Sequence, residues 1–83
     1  MYEIRITRQA RKDISKLTSK LRNKLRDILN EVIAVNLYEG KKLLGELSGS
    51  YSYRLTYQDR IVYGIDERRK IVYIERARTH YGD

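Results

Sequence analysis

The strongest constraint on the fold of this chain lies in residues 51–78. There, three runs with the character of β-strands follow one another with almost no chain between them. Tyr51–Tyr57, Arg60–Asp66 and Lys70–Arg78 are rich in aromatic and β-branched residues, and only Gln58-Asp59 and Glu67-Arg68-Arg69 separate them. Connections that short close antiparallel hairpins, whereas a parallel pair needs a crossover of about a dozen residues or more. A further short strand is expected over Lys42–Leu47, after a loop at Asn36–Gly40, with Gly45 and Gly49 as punctuation. A two-residue and a three-residue turn at Gln58-Asp59 give opposite cross-strand parity, so the sequence leaves open which strand residues face the core.

The N-terminal half has a different period. Tyr2–Thr7 alternates as a strand, with Ile4 and Ile6 on one face. Thr7 can cap a helix in which Ala10, Ile14, Leu17 and Leu21 recur at helical spacing, while Arg8, Arg11, Lys12 and Lys16 cover the wet side. Thr18 and Ser19 mark a break, because either hydroxyl can cap a following turn. A second helix is expected from about Lys20 to Val35, with Leu21, Leu25, Ile28, Leu29, Val32 and Ile33 as its buried stripe. The order is β-α-α-β-β-β-β, an α+β fold in which an N-terminal strand and a helical hairpin precede antiparallel strands. The 83 residues allow one domain, residues 1–83, with the hairpin packed on one face of an antiparallel sheet.

Composition narrows the function. There is no apolar run of membrane-spanning length, and the N-terminus lacks the apolar stretch of a secretory signal, so no membrane partner is expected. Cysteine is absent, which removes disulfides and thiolate sites and suits a reducing cytoplasm. The net charge is +7, and eleven of the eighteen cations are arginine, whose planar fork matches phosphate oxygens in pairs. Eight tyrosines stand where Phe and Trp are missing, and basic charge interleaved with stacking rings suits nucleic acid. The plainer reading is a solubilising surface and a half-wet core. A polyanion is the expected partner, with RNA, DNA and an acidic protein as candidates.

The residues for several familiar chemistries are missing. There is no Gly-rich phosphate loop, no thiol nucleophile, one histidine, and no tight carboxylate cluster, so neither a metal nor a cofactor is expected. Without a metal, RNA is the phosphodiester most readily cut, because its own 2′-hydroxyl can attack the adjacent phosphorus. Such a site needs a proton acceptor, a proton donor to the leaving oxygen, and cations for the charge on phosphate. A lone histidine near a chain end is ordinarily a solvated side chain. His80 draws interest because Arg76 and Arg78, cations that would hold the RNA phosphate, lead to it and Tyr81 follows. Arg54 and Arg60 bracket the turn of an expected hairpin, and Lys41 and Lys42 precede or lie on a neighbouring strand, so these cations could share one groove.

The same residues resemble the RelE/ParE superfamily of bacterial toxins, and within it the Txe/YoeB group. Leu47-Ser48-Gly49-Ser50-Tyr51-Ser52-Tyr53-Arg54-Leu55 is similar to that group's Leu-Ser-Gly-aromatic-Ser-x-Arg-Ile segment, and Arg60-Ile61-Val62-Tyr63 to its Arg-Leu-Val-Tyr segment. Thr79-His80-Tyr81 is similar to the C-terminal His-Tyr that selects the YoeB-like branch. The resemblance covers essentially the whole chain and implies a RelE-like fold. It also implies a toxin that enters the ribosomal A site and cuts mRNA by 2′-hydroxyl attack, leaving a cyclic phosphate. Its partners would then be a cognate antitoxin, the ribosome and mRNA, with room for a homodimer. By this likeness Arg60 stabilises charge on the scissile phosphate, His80 protonates the leaving oxygen, Tyr81 orients or stacks on the substrate, and Arg54 contacts the RNA backbone.

There is one departure from the pattern. YoeB-like toxins carry a glutamate base two residues before the leucine that matches Leu43, and Lys41 stands there instead. The general base is open among Lys41, Lys42 and Glu46. Two other readings remain: a ParE-like inhibitor of DNA gyrase with no enzymatic activity, and a basic nucleic-acid-binding module without chemistry.

Overall fold

The computed structural model describes residues 2–45 and 49–77. Within them the chain runs β1 (Glu3–Ile6), α1 (Arg8–Ser15), α2 (Ser19–Ile28), a π-helical turn (Leu29–Ile33), β2 (Lys41–Lys42), β3 (Ser50–Arg54), β4 (Arg60–Asp66) and β5 (Ile71–Arg76). This is the expected α+β order with shorter elements. Both helices start at threonine caps: Thr7 Oγ1 accepts from the Ala10 amide at 3.1 Å, and Thr18 Oγ1 from the Leu21 amide at 3.2 Å. Each cap satisfies a backbone donor that the first turn would otherwise leave bare.

The second helix does not run regularly to Val35. After Ile28 it widens into a π turn, in which the Ala34 amide donates to the Leu29 carbonyl at 2.9 Å. The wider turn lets Ile28, Leu29 and Ile33 all bury, while Val35 is exposed. Ile14, Leu21 and Val32 sit at the margin of the core, partly buried.

The sheet has the strand order β1-β5-β4-β3-β2. The four later strands pair antiparallel, as their short connections require. β1 lies parallel to β5, with Glu3 opposite Ile71 and Ile6 opposite Ile74, so the sheet is mixed and not wholly antiparallel. Hairpin spacing carries no information on this pair, because the whole intervening chain connects its members.

The β3–β4 connection fixes the parity left open by sequence. It holds five residues, Leu55 to Asp59, and closes with the Leu55 amide on the Asp59 carbonyl at 2.9 Å and the Asp59 amide on Thr56 Oγ1 at 2.8 Å. β3 therefore ends at Arg54, and Tyr57 lies exposed in the loop. Ile4, Ile6, Tyr51, Tyr53, Ile61 and Tyr63 face the helices and pack in one cluster with Leu17, Leu25, Leu29 and Ile33. β2 is confined to Lys41–Lys42; Leu43–Gly45 lie outside any strand, and the rest of the expected Lys42–Leu47 strand is outside the described residues. Among the described residues, no helix is long and apolar enough to cross a membrane.

Candidate nucleic-acid interface

Register decides which cations meet. Arg54 and Arg60 are direct partners across β3 and β4, so both project from the same side of the sheet. Lys41 is opposite Ser52, two residues from Arg54 on β3, which places it on that side too. Ile61 and Tyr63 point to the helices, so the three cations occupy the outer face, turned away from the helical hairpin. Lys42 is opposite Tyr51 and has the other parity. Like charges directly across a strand pair oppose each other and weaken a sheet. None of the ion pairs among the described residues involves Lys41, Arg54 or Arg60. A cationic face kept at some cost to the sheet is suited to a polyanion.

Lys41 is held in place through a tyrosine that the sequence did not single out. Tyr63 is fully buried; its hydroxyl donates to the Leu37 carbonyl and accepts from the Gly40 amide, each at 2.9 Å. Burial pushes the Tyr63 phenol up, although the Gly40 hydrogen bond works against that shift. Glycine is required at 40 because a Cβ there would stand 2.7 Å from the Tyr63 hydroxyl and 2.8 Å from the Ser52 carbonyl oxygen. Tyr51 stacks on Tyr63 with ring centroids 5.6 Å apart, and Tyr38 meets Tyr51 edge-on at 5.7 Å. Much of the tyrosine content therefore supports the edge of the site by packing.

At the other end of the sheet, Asp13 on α1 is buried and holds the end of β5. Arg76 Nε donates to Asp13 Oδ2 at 2.8 Å, and the Ala77 amide donates to the same oxygen at 3.1 Å. Burial alone would raise the Asp13 carboxyl, but the hydrogen bonds from Arg76, Ala77 and Gln9, with the Arg76 charge, leave it below the ordinary carboxylate value. Arg76, a candidate RNA contact by sequence, thus serves this anchor. A lone acid among the helix's basic residues was the available signal for Asp13. Arg78, His80, Tyr81 and Glu46 lie outside the described residues.

Glu75 reaches across the same face of the sheet as Lys41, Arg54 and Arg60. The β4–β5 register shifts between Val62 and Tyr63, and Glu75 is the extra residue of β5 at that irregularity. Its carboxylate lies on the outer face, where Ser50 Oγ donates to Glu75 Oε1 at 2.7 Å. Arg54 also borders an open depression of about 420 Å³ between α2 and the β3–β4 loop, with Lys24, Thr56 and Tyr57 in its lining.

No family profile and no curated protein matches this sequence. Solved structures do. The chain is similar to a protein of the RelBE2 toxin–antitoxin complex from Mycobacterium tuberculosis, at 31% identity and a TM-score of 0.82, covering 99% of this chain and 93% of that one. It is similar to a chain of the heterotetrameric YoeB–YefM toxin–antitoxin complex from Staphylococcus aureus, at 26% identity and a TM-score of 0.79, covering 98% and 99%. The isolated Escherichia coli RelE toxin aligns at 25% identity and a TM-score of 0.78, covering 100% and 88%. The fold is that of the small toxins of toxin–antitoxin systems. The chain belongs to the RelE/ParE superfamily, with RelE and YoeB proteins among its structural neighbours.

Proposed function

We propose that this toxin is a ribosome-dependent mRNA endoribonuclease, held silent by a cognate antitoxin. The observation that supports it best is the directly opposed Arg54 and Arg60 on the outer face, with Lys41 on the same face beside them. In this reading the mRNA backbone runs over the outer face of β2, β3 and β4. Arg60 stabilises the charge that builds on the scissile phosphate, and Arg54 and Lys41 hold the flanking backbone. A single donor of this electrostatic kind is worth about 10²–10³ in rate.

His80 protonates the leaving 5′ oxygen, and Tyr81 orients or stacks on the substrate. The last described residue before this pair, Ala77, is three residues from His80 and is fixed by Asp13. Proton donation contributes about 10²–10⁴. The antitoxin would cover this basic face with an acidic segment, which accounts for the +7 charge as well as RNA does. Mapping mRNA ends after induction of the wild type, Arg60→Ala and His80→Ala tests the reading. Codon-positioned cuts with the wild type alone support it. If both variants arrest growth as the wild type does, the nuclease reading fails and a gyrase-directed toxin takes its place.

A further inference from the structure

A site that cuts RNA through its 2′-hydroxyl needs a group to accept that proton, and Lys41 occupies the position from which a carboxylate was expected. Of the acids among the described residues, Asp13 is committed to its anchor, and Glu3 lies on the edge strand β1 in a 2.7 Å pair with Arg5. Asp59 closes the β3–β4 loop with Thr56, and Asp66 accepts from the Arg69 amide in the β4–β5 turn. Glu39 accepts from Asn36 and Glu67 from Tyr38, whereas Glu75 lays its carboxylate over the central strands of the outer face. It begins on β5, passes over β4 at Gly64 and reaches Ser50 on β3. The passage exists because Gly64 has no side chain, and a Cβ there would stand 3.1 Å from Glu75 Oε2.

From these placements we infer that Glu75 is the general base, positioned by Ser50 and by the gap at Gly64. The inference rests on the nuclease reading and deepens it. Gly64 and Arg60 lie four residues apart on β4, about 13 Å along the strand, with Val62 midway. Ser52 and Val62, in the row between them, are buried, so a nucleotide would lie across the partly exposed Arg60 and Glu75 side chains, each roughly 7 Å along the strand from that row. That interval suits one nucleotide, with its ribose toward Glu75 and its phosphate charge toward Arg60 and Lys41.

In the chemical step, the 2′ O–H bond breaks and its proton passes to a Glu75 carboxylate oxygen. The 2′ oxygen bonds to phosphorus, the P–O5′ bond breaks, and the 5′ oxygen takes a proton from the acid assigned to His80. The products are a 2′,3′-cyclic phosphate and a 5′-hydroxyl. Ser50 acts through Glu75 and is a positioning residue.

The test is single-turnover cleavage of ribosome-bound mRNA across a pH series, with the wild type, Glu75→Gln, Ser50→Ala and Glu46→Gln. Glu75→Gln keeps the shape and can still accept from Ser50, so it should fold. It should cut about 10²–10⁴ more slowly and lose the fall in rate at acid pH that a carboxylate base imposes. Ser50→Ala should slow cutting by a smaller factor and retain that fall. Circular dichroism and ribosome binding show whether each variant is folded, and Glu75→Asp, a shorter carboxylate, should recover part of the rate. If Glu75→Gln cuts as fast as the wild type with the same pH profile, the assignment is overturned. It is also overturned if Glu46→Gln, and not Glu75→Gln, removes the acid limb. A wild type that leaves ribosomal mRNA uncut sinks the nuclease reading and takes this inference with it.

Discussion

Asp13→Asn should make the protein unfold more readily and become less sensitive to acid. Asp13 is 4% exposed, and its carboxylate accepts from Arg76 Nε at 2.8 Å, Arg76 Nη2 at 3.4 Å, the Ala77 amide at 3.1 Å and Gln9 Nε2 at 3.3 Å. An amide of the same size keeps one acceptor oxygen and turns an NH₂ toward these donors. Ala77 is fully buried, so an amide hydrogen stranded there costs about 1–3 kcal/mol. The Arg76 side chain is 44% exposed and can turn toward water, so its lost bond counts near or below the low end of about 1.5–3 kcal/mol. Together these give about 2–4 kcal/mol, a large share of the roughly 4–12 kcal/mol expected for a chain of this size. At about 4–8 °C per kcal/mol, the melting midpoint should fall by roughly 10–30 °C. The sign with pH follows from the lowered Asp13 value in the fold. A group depressed on folding adds stability above its unfolded value, and that stability is lost as pH falls through the folded one. The wild type should therefore weaken on acidification below the ordinary carboxylate range, and Asp13→Asn should weaken less over the same interval. Thermal and urea melts at neutral and acid pH measure both effects. A variant that melts within a few degrees of the wild type, or keeps its full acid slope, refutes the anchor.

Three further outcomes follow from the packing and the charge. Leu29→Ala removes a side chain buried in the main cluster and should cost about 2–5 kcal/mol in a urea melt. Tyr63→Phe strands the Leu37 carbonyl and the Gly40 amide; it should cost about 1–3 kcal/mol and speed hydrogen exchange at Gly40 and Lys41 more than in α1. Association with the antitoxin should slow as salt rises, and stopped-flow mixing with Arg54→Ala should show a shallower salt dependence than the wild type.

The order of elements was legible because each leaves a local mark. Thr7 and Thr18 announce helix starts, and the short connections in the C-terminal half force hairpins, although the turns are longer than the sequence suggested. The parallel β1–β5 pair leaves no such mark, since its partners are joined through the whole chain. The π turn at Leu29 was hidden because the apolar residues from Ile28 to Ile33 fit an ordinary helix as well as a widened one. Arg54, Arg60 and Lys41 were marked by charge and position, and the register places them on one face of the sheet. The engagement of Arg76 with Asp13 was hidden, because it depends on a contact 63 residues away in sequence. The placement of Glu75 left no mark in the sequence, because only the irregular β4–β5 register and the bare Gly64 lay its carboxylate across the sheet.

The central claim is that the outer cationic face of this toxin cuts mRNA on the ribosome. Primer extension on one actively translated message, before and after induction of the wild type and of Arg60→Ala, tests it most directly. New 5′ ends at fixed positions within codons should appear with the wild type and fall about 10²–10³ with Arg60→Ala at equal protein level. Growth arrest by the wild type with no new ends, or unchanged ends with the folded variant, would contradict it.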